Sequence, residues 1–304
     1  MSRRPLVALL AGATAVAISL YVLRRRRSRD EAARERDEAA ALERRLNELW
    51  LKSATDVVEE LAQGRVTPAM LIEASLRRIR ATNEATNAVV TLCVERALAR
   101  AAAFAAAGGA PGPLYGLPVL VKDNQGVAGV RCTAGAPAHA ERIAAASSPT
   151  VEAIEAAGGI VLGLTNMPEH AAGSHTFNAL FGATLNPYDL TRSAGGSTGG
   201  GAAALACGAA WLATGTDLGG SLRNPAAFCN VVGLRPTAGR CAMPSAPPGA
   251  WRGRWGLGLH ATSGPLGRTV SDVALCLDAL APRDLPLPTR GSAAGGGAAG
   301  GGAA

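Results

Sequence analysis

Lysine is almost absent from this 304-residue sequence. Lys52 and Lys122 are the two lysines among thirty basic residues, and the others are arginines. Lys122 follows an apolar run at residues 117–121, which is typical of a buried strand. Because arginine keeps its proton in proteins whereas a buried lysine can lose it, Lys122 is a candidate general base. The alternative is an ordinary lysine that reaches solvent at the end of a strand.

Several common site patterns are missing as well. The six cysteines form no C-x-x-C pair and have no zinc-ligand spacing with the four histidines. The sequence therefore predicts free, mostly buried thiols in a reducing compartment, and no metal or other cofactor. Aromatic residues make up 4% of the chain and are not interleaved with a basic patch, so nucleic acid is not an expected partner.

Two glycine-rich segments each carry a serine after a Gly-Gly pair. Ser197 lies in GGSTGGG at 195–201, and Ser221 lies in GTDLGGSLR at 215–223. Such backbones suit a reachable nucleophile, or amide donors that point at an anion. A phosphate-binding loop is disfavoured because alanines, rather than lysine and a hydroxyl residue, follow the last glycine. A flexible linker is disfavoured because the intervening residues are compact and apolar.

These segments and the lysine run resemble the amidase signature family. The matching stretches are GGSTGG, GTDLGGSLRNPAAFCNVVGLRPTAGR and LPVLVKD, and the resemblance covers roughly residues 55–281. The spacing of Ser197 and Ser221 equals that of the family's two catalytic serines. Thr198 stands where the family usually has a second serine, and Gly201 where it has an acidic residue. The resemblance implies an α/β fold with a central mixed β-sheet covered by helices.

The resemblance also implies the chemistry. Ser221 would be the nucleophile, and Ser197 would carry protons between Ser221 and the base Lys122. Lys122 would act in its neutral form, because burial lowers the pKa of its amine. Amide hydrolysis would pass through an acyl-enzyme intermediate. The family places its bridging serine after a cis peptide bond, which would here join Gly196 and Ser197.

Further residues carry over from the same motifs. Asp217 and Arg223 would brace the second loop as an ion pair, with an ordinary surface pair as the alternative. Thr198 would hydrogen-bond within the loop and brace it together with this pair. Ala171, in a segment that resembles the loop beside the family's acyl pocket, would contact the substrate together with Ser197. The backbone amides of four consecutive residues would form the oxyanion hole: Leu218, Gly219, Gly220 and Ser221.

Residues 5–23 form a nineteen-residue run without charge, which predicts a single membrane-spanning helix. Arginines at 24–27 and 29 follow it, so the positive-inside rule places the catalytic domain in the cytosol. A cleaved signal peptide and an organelle transit peptide are the alternatives. They are less favoured, because the run is long, has no clear cleavage site and lacks an Arg-rich amphipathic pattern.

The chain therefore divides into four predicted parts. Residues 1–29 are a membrane anchor with a basic flank, and 30–52 are a charged helical linker. Residues 53–285 are the amidase signature domain, and 286–304 are a Gly/Ala-rich tail that is expected to be disordered. Because members of the family usually continue well beyond this point, the domain is predicted to be truncated at its C-terminus.

Two classes of function follow. The main prediction is a membrane-anchored amidase that resembles fatty acid amide hydrolases and cleaves a lipid or other small-molecule amide, because a lipid amide partitions into the bilayer that holds the enzyme. One alternative is a protein like the glutaminyl-tRNA amidotransferase A subunit. The other is a non-catalytic, membrane-tethered remnant. The sequence leaves open the acyl chain and amine of the substrate, and the oligomeric state, a homodimer included.

Overall fold

The computed structural model describes residues 29–108, 112–241 and 261–281. The predicted membrane span at 5–23 and the predicted tail at 286–304 lie outside these residues. Within the three described ranges, every helix is too short or too polar to cross a bilayer. The anchor and the tail therefore stay predictions.

Three helices precede the central sheet: α1 (Arg29–Leu49), α2 (Ala54–Ala62) and α3 (Pro68–Thr86). Ser53 caps α2 and forms a capping box with Asp56. Thr67 caps α3 and Pro68 takes its first position, as the Thr-Pro pair predicts. The buried face of the third helix extends to its last residue, Thr86.

The described residues contain ten strands. They are β1 (Val89–Leu92), β2 (Pro118–Lys122), β3 (Ile160–Thr165), β4 (Phe177–Asn178), β5 (Gly182–Ala183), β6 (Leu185–Asn186), β7 (Asp189–Ser193), β8 (Leu212–Asp217), β9 (Val232–Gly233) and β10 (Thr262–Gly267). Six of them form one sheet in the order β1-β3-β2-β8-β10-β9, while β4–β5 and β6–β7 are separate pairs.

The central sheet is mixed, as predicted. Its strands β3, β2 and β8 run parallel, whereas β1, β9 and β10 are antiparallel to their neighbours. Because parallel strands end at the same edge of a sheet, the last residues of β2 and β8, Lys122 and Asp217, lie at one edge. This arrangement brings the lysine run next to the second glycine-rich segment.

Helices cover both faces of the sheet. The remaining ones are α4 (Val94–Ala106), α5 (Pro149–Ala156), α6 (Gly199–Ala206), α7 (Arg223–Phe228) and α8 (Val270–Leu280). Val119 and Val121 of β2 belong to one hydrophobic cluster, and Leu120 between them belongs to a second. Alternate residues of the strand thus pack on opposite faces, which explains its unbroken apolar sequence.

A tight turn closes α6 before β8 begins at Leu212. Gly208 has φ +70°, and its amide donates to the Leu205 carbonyl. A Cβ at Gly208 would lie 2.5 Å from the Trp50 ring, so the turn requires glycine for both conformation and space.

The six cysteines are free and buried, as predicted. Burial raises the pKa of the Cys93 and Cys241 thiols to about 11 and that of Cys229 to about 12. These thiols therefore stay protonated at neutral pH and act as small apolar core groups.

Candidate active site

Lys122 is completely buried at the end of β2. Its Nζ lies 2.7 Å from Ser197 Oγ, 3.1 Å from Thr198 Oγ1 and 3.1 Å from Thr216 Oγ1. Burial lowers the pKa of this amine from 10.5 to about 7, while the Asp217 carboxylate pulls it upward. About half of the amines are therefore neutral near pH 7, and the neutral amine can accept a proton from Ser197.

Glycines hold the Ser197 loop against its neighbours. The Gly199 amide donates to Thr176 Oγ1 over 3.0 Å, and this hydroxyl donates to the Gly195 carbonyl over 2.8 Å. A Cβ at Gly199 would lie 2.3 Å from Thr176 Oγ1, and one at Gly200 would lie 2.4 Å from a backbone nitrogen. Side chains at these positions would clash with these neighbours and displace the loop. The Gly196–Ser197 peptide bond is cis, as predicted.

Asp217 organises the second loop. Its carboxylate accepts hydrogen bonds from the amides of Gly220 (2.8 Å) and Leu222 (3.1 Å). It also accepts two from the Arg223 guanidinium, both at 3.0 Å. Burial raises the pKa of Asp217, but these hydrogen bonds outweigh burial and lower it to about 2. The Asp217–Arg223 pair is thus joined to the loop backbone, rather than being an isolated surface pair.

One amide of the predicted oxyanion hole already has an acceptor in this structure. The Gly220 amide points at Asp217 Oδ1, so this amide is already used and is not aimed at a substrate. Among the described residues we find no acceptor for the amides of Leu218, Gly219 and Ser221. The oxyanion hole of four amides stays a prediction, and three of these amides are the better-placed donors in this structure.

The two serines differ in burial. Ser197 is fully buried beside the lysine, whereas Ser221 is half-buried. The loops that carry them meet where the Thr198 amide donates to the Ser221 carbonyl over 3.1 Å. Gly220, just before Ser221, has φ +112°, which favours glycine. A reachable Ser221 and a buried Ser197 match the predicted nucleophile and proton carrier, although both roles remain predictions.

Ala171 ends a short 3-10 turn at Glu169–Ala171, at φ +61°. Its neighbour His170 also has positive φ, and the His170 amide donates to the Ala134 carbonyl. Within the described residues, no hydrogen bond links this turn to the lysine or the serines. Its predicted contact with substrate therefore stays a prediction.

Two threonines of the site were missed by the sequence reasoning. Thr216 contributes one of the three oxygens around Lys122 Nζ, and Thr176 fastens the Ser197 loop. Thr216 could have been found, because it directly precedes Asp217 in the matched motif. Thr176 lies between motifs, and nothing in its local sequence distinguishes it from other threonines.

Comparison with known proteins agrees with this geometry. The sequence model of the family named Amidase matches residues 70–294. This chain is a member of the amidase family. Its family and fold were thus predicted correctly.

Three individual proteins are examples of what this chain is similar to. The glutamyl-tRNA(Gln) amidotransferase A subunit of Carboxydothermus hydrogenoformans is 39% identical over 244 residues, which are 78% of this chain and 48% of that protein. A bacterial aryl acylamidase of the amidase signature family has a TM-score of 0.71 at 34% identity, over 77% of this chain and 48% of its own. A fatty acid amide hydrolase has a TM-score of 0.68 at 27% identity, over 75% and 40%.

The chain spans about half the length of these relatives in the amidase family. The likeness to fatty acid amide hydrolases, which the sequence suggested, extends to family and fold. Identity to the amidotransferase protein is higher than identity to the fatty acid amide hydrolase.

Proposed function

We propose that this chain is an amidase that cleaves the carbon–nitrogen bond of an amide through an acyl-enzyme on Ser221. One observation carries the proposal: the buried Lys122 amine lies 2.7 Å from the Ser197 hydroxyl. A serine hydroxyl needs such a base to become a nucleophile. Membership of the amidase family supports the same reaction.

The proposed reaction begins with two proton transfers. Neutral Lys122 accepts the Ser197 proton while Ser197 accepts that of Ser221, and Ser221 Oγ forms a bond to the amide carbon. The free amides of Leu218, Gly219 and Ser221 would stabilise the negative oxygen of the tetrahedral intermediate. Ser197 then gives its proton to the leaving nitrogen and regains one from Lys122, and the C–N bond breaks. Water releases the acyl group from Ser221 by the reverse route.

The second candidate is one component of an amidotransferase. Its support is the higher identity to the Carboxydothermus protein than to the fatty acid amide hydrolase. On this proposal the chain would act together with partner subunits, and its substrate would be a small polar amide. The lipid-amide proposal depends on the anchor predicted at residues 5–23, as does the proposed location on the cytosolic side of a membrane.

Lys122→Arg tests the base. Arginine keeps a positive charge but offers no neutral form, so phosphonylation of Ser221 by a fluorophosphonate should slow by about 10²–10⁴-fold. Lys52→Arg is the matched control, because Lys52 forms a surface ion pair with Glu60 that arginine can keep. Rates would be measured by mass spectrometry of the labelled peptide. Equal rates in the two variants would exclude Lys122 as the base, and unlabelled wild-type Ser221 would favour the non-catalytic remnant.

A substrate comparison separates the two candidates. The rate of ammonia release from glutamine and from a long-chain fatty acid amide would be compared, with and without lipid vesicles. Faster turnover of glutamine, above all in the presence of partner subunits, would support the amidotransferase proposal. Faster turnover of the fatty acid amide would support the lipid amidase.

Carbonate extraction followed by protease protection tests the membrane location. The anchored proposal expects the protein to stay with the membrane, and its amidase domain to be digested from the cytosolic side. Release of the protein by carbonate would contradict the anchor. Protection of the domain inside vesicles would contradict the orientation.

A further inference from the structure

Asn124 lies two residues after Lys122, beside the site, and neither the predicted site nor the proposed reaction uses it. Its Nδ2 is 3.5 Å from Thr216 Oγ1, and its Oδ1 is buried with no hydrogen-bond partner among the described residues. A buried amide oxygen without a partner is costly and calls for an explanation. Because this oxygen is buried, a bound substrate cannot reach it in this conformation.

Thr216 links Asn124 to the lysine. Its Oγ1 lies between the two groups, 3.1 Å from Lys122 Nζ and 3.5 Å from the Asn124 amide. Asn124, Thr216 and Lys122 thus form a continuous polar contact. We refer to Asn124 and Thr216 as the Asn124–Thr216 arm.

The hydrogens around Nζ explain what the arm can do. A neutral amine has two N–H donors and one lone pair, but three hydroxyl oxygens surround it. For the lone pair to accept from Ser197, the two N–H groups must donate to Thr198 and Thr216. The Thr198 hydroxyl is directed away from the amine, because it donates to the Thr216 carbonyl over 3.5 Å.

The remaining question is which acceptor the hydrogen of the Thr216 hydroxyl points at. If it pointed at Nζ, it would occupy the lone pair that Ser197 needs. The Asn124 amide can prevent this. In the structure the Asn124 Nδ2 group donates to Thr216 Oγ1. Rotation about the Cβ–Cγ bond would exchange Oδ1 and Nδ2 and turn the carbonyl oxygen toward Thr216, where it could accept that hydrogen.

We propose that Asn124 is a positioning residue that acts through Thr216 and thereby keeps the lone pair of neutral Lys122 directed at Ser197. The proposal rests on the proposed function, since it assumes that Lys122 is the base. It assigns Asn124 no contact with the substrate.

The charged groups around the arm are few in the described residues. Asp217 faces Lys122 from β8 and is itself paired with Arg223 of α7. Asp123, next to Lys122 in the chain, accepts from the Thr133 hydroxyl and from the amides of Thr133 and Gly135. Burial raises the pKa of Asp123, and the positive charge of Arg131 opposes this shift. Changes in the uncharged arm therefore leave these groups in place.

The test is the rate at which a fluorophosphonate labels Ser221 in the full chain, followed from pH 6 to pH 9. Asn124→Leu and Thr216→Val remove the two polar groups with little change in shape. Each should slow labelling by about tenfold across this range. Thr216→Ser keeps the hydroxyl and should label at nearly the wild-type rate. Circular dichroism and thermal unfolding would verify that each variant is folded.

Two further results identify positioning through Thr216. The double variant should label no more slowly than Thr216→Val alone, because Asn124 has no effect once the hydroxyl is gone. Asn124→Asp keeps an acceptor oxygen but adds a charge that raises the pKa of Lys122. The labelling rate of Asn124→Asp should therefore increase at a higher pH than that of the wild type, and should reach the wild-type rate above that pH. The labelling rate of Asn124→Leu should stay below that of the wild type at every pH.

Wild-type labelling by folded Asn124→Leu, or additive effects in the double variant, would overturn the proposal. A failure of the proposed function looks different, because Lys122→Arg would then label at the wild-type rate. Slow labelling of Lys122→Arg together with normal labelling of Asn124→Leu would reject the arm alone.

Discussion

Replacing Lys122 by methionine would separate the stability cost of the buried amine from its chemistry. Methionine is unbranched and fills a similar space, but it has no charge to bury. The pKa of the lysine is about 7 in the folded chain, because burial disfavours its charged form, whereas an ordinary lysine has 10.5. The unfolded chain therefore binds more protons than the folded chain between these two pH values, and stability rises with pH in that window.

The magnitude follows from the two pKa values. Between the folded and the unfolded pKa, lowering the pH by one unit reduces the free energy of unfolding by about 1.4 kcal/mol. The lysine thus destabilises the fold by about 4 kcal/mol at pH 7 and by about 2 kcal/mol at pH 9. The loss of its three hydroxyl contacts in the variant does not depend on pH. The advantage of Lys122→Met should therefore shrink by about 2 kcal/mol between pH 7 and pH 9.

Urea unfolding of both proteins at pH 7, 8 and 9 measures this difference. Groups other than Lys122 titrate in both proteins and largely cancel. Lys52→Met is the control, because the Lys52 side chain is 39% exposed and its ammonium stays in contact with water. A stability difference for Lys122→Met that does not vary with pH would refute the reasoning, since it would mean that the folded amine keeps its ordinary pKa.

Three other experiments test the site. Ser221→Ala should abolish fluorophosphonate labelling, whereas Ser197→Ala should only slow it. Ser197→Ala should also reduce amide turnover more than ester turnover, because an alkoxide leaves without the proton that an amine needs. An adduct on Ser197 of the unmodified protein would reverse these roles. Gly200→Ala should destabilise the fold by about 1–3 kcal/mol or more in urea unfolding, because its Cβ would lie 2.4 Å from a backbone atom. Gly219→Ala is the control and should change stability little, because the space around Gly219 is open. Equal losses of stability in the two variants would contradict the packing argument. Asp217→Asn should slow labelling of Ser221. It should also remove the loss of stability that the wild type shows as pH falls from about 4 through about 2, because the folded pKa of this carboxyl lies below its unfolded value. An acid-unfolding curve equal to that of the wild type would contradict this role.

The sequence predicted the parts of the site that depend on local pattern. The apolar run before Lys122 correctly indicated a strand, which the structure shows to be buried on both faces. The Thr-Pro pair at 67–68 correctly marked a helix start. Ser197, Ser221, Asp217 and Arg223 lie in motifs whose spacing is visible in the chain, so their proximity followed from the family resemblance.

What the sequence did not predict depends on hydrogen-bond direction. The Gly220 amide was expected to face the substrate, but the carboxylate three residues earlier takes it. Thr216 was overlooked, because its role comes from a contact with the Lys122 amine, which lies 94 positions away in the sequence. Residue patterns show which groups are present in a loop. They do not show which acceptor each amide will choose once two loops pack together.

The burial of Lys122 connects the stability of this fold with its proposed chemistry. An exposed lysine is neutral in fewer than about one in 1000 molecules at pH 7, whereas a pKa of about 7 makes half of them neutral. The same burial costs about 4 kcal/mol, which is a large share of the 5–15 kcal/mol that stabilises a typical domain. Packing on both faces of the sheet must offset this cost. Changes that loosen this packing and admit water should therefore return the lysine toward its charged form, and reduce activity even where the chain remains folded.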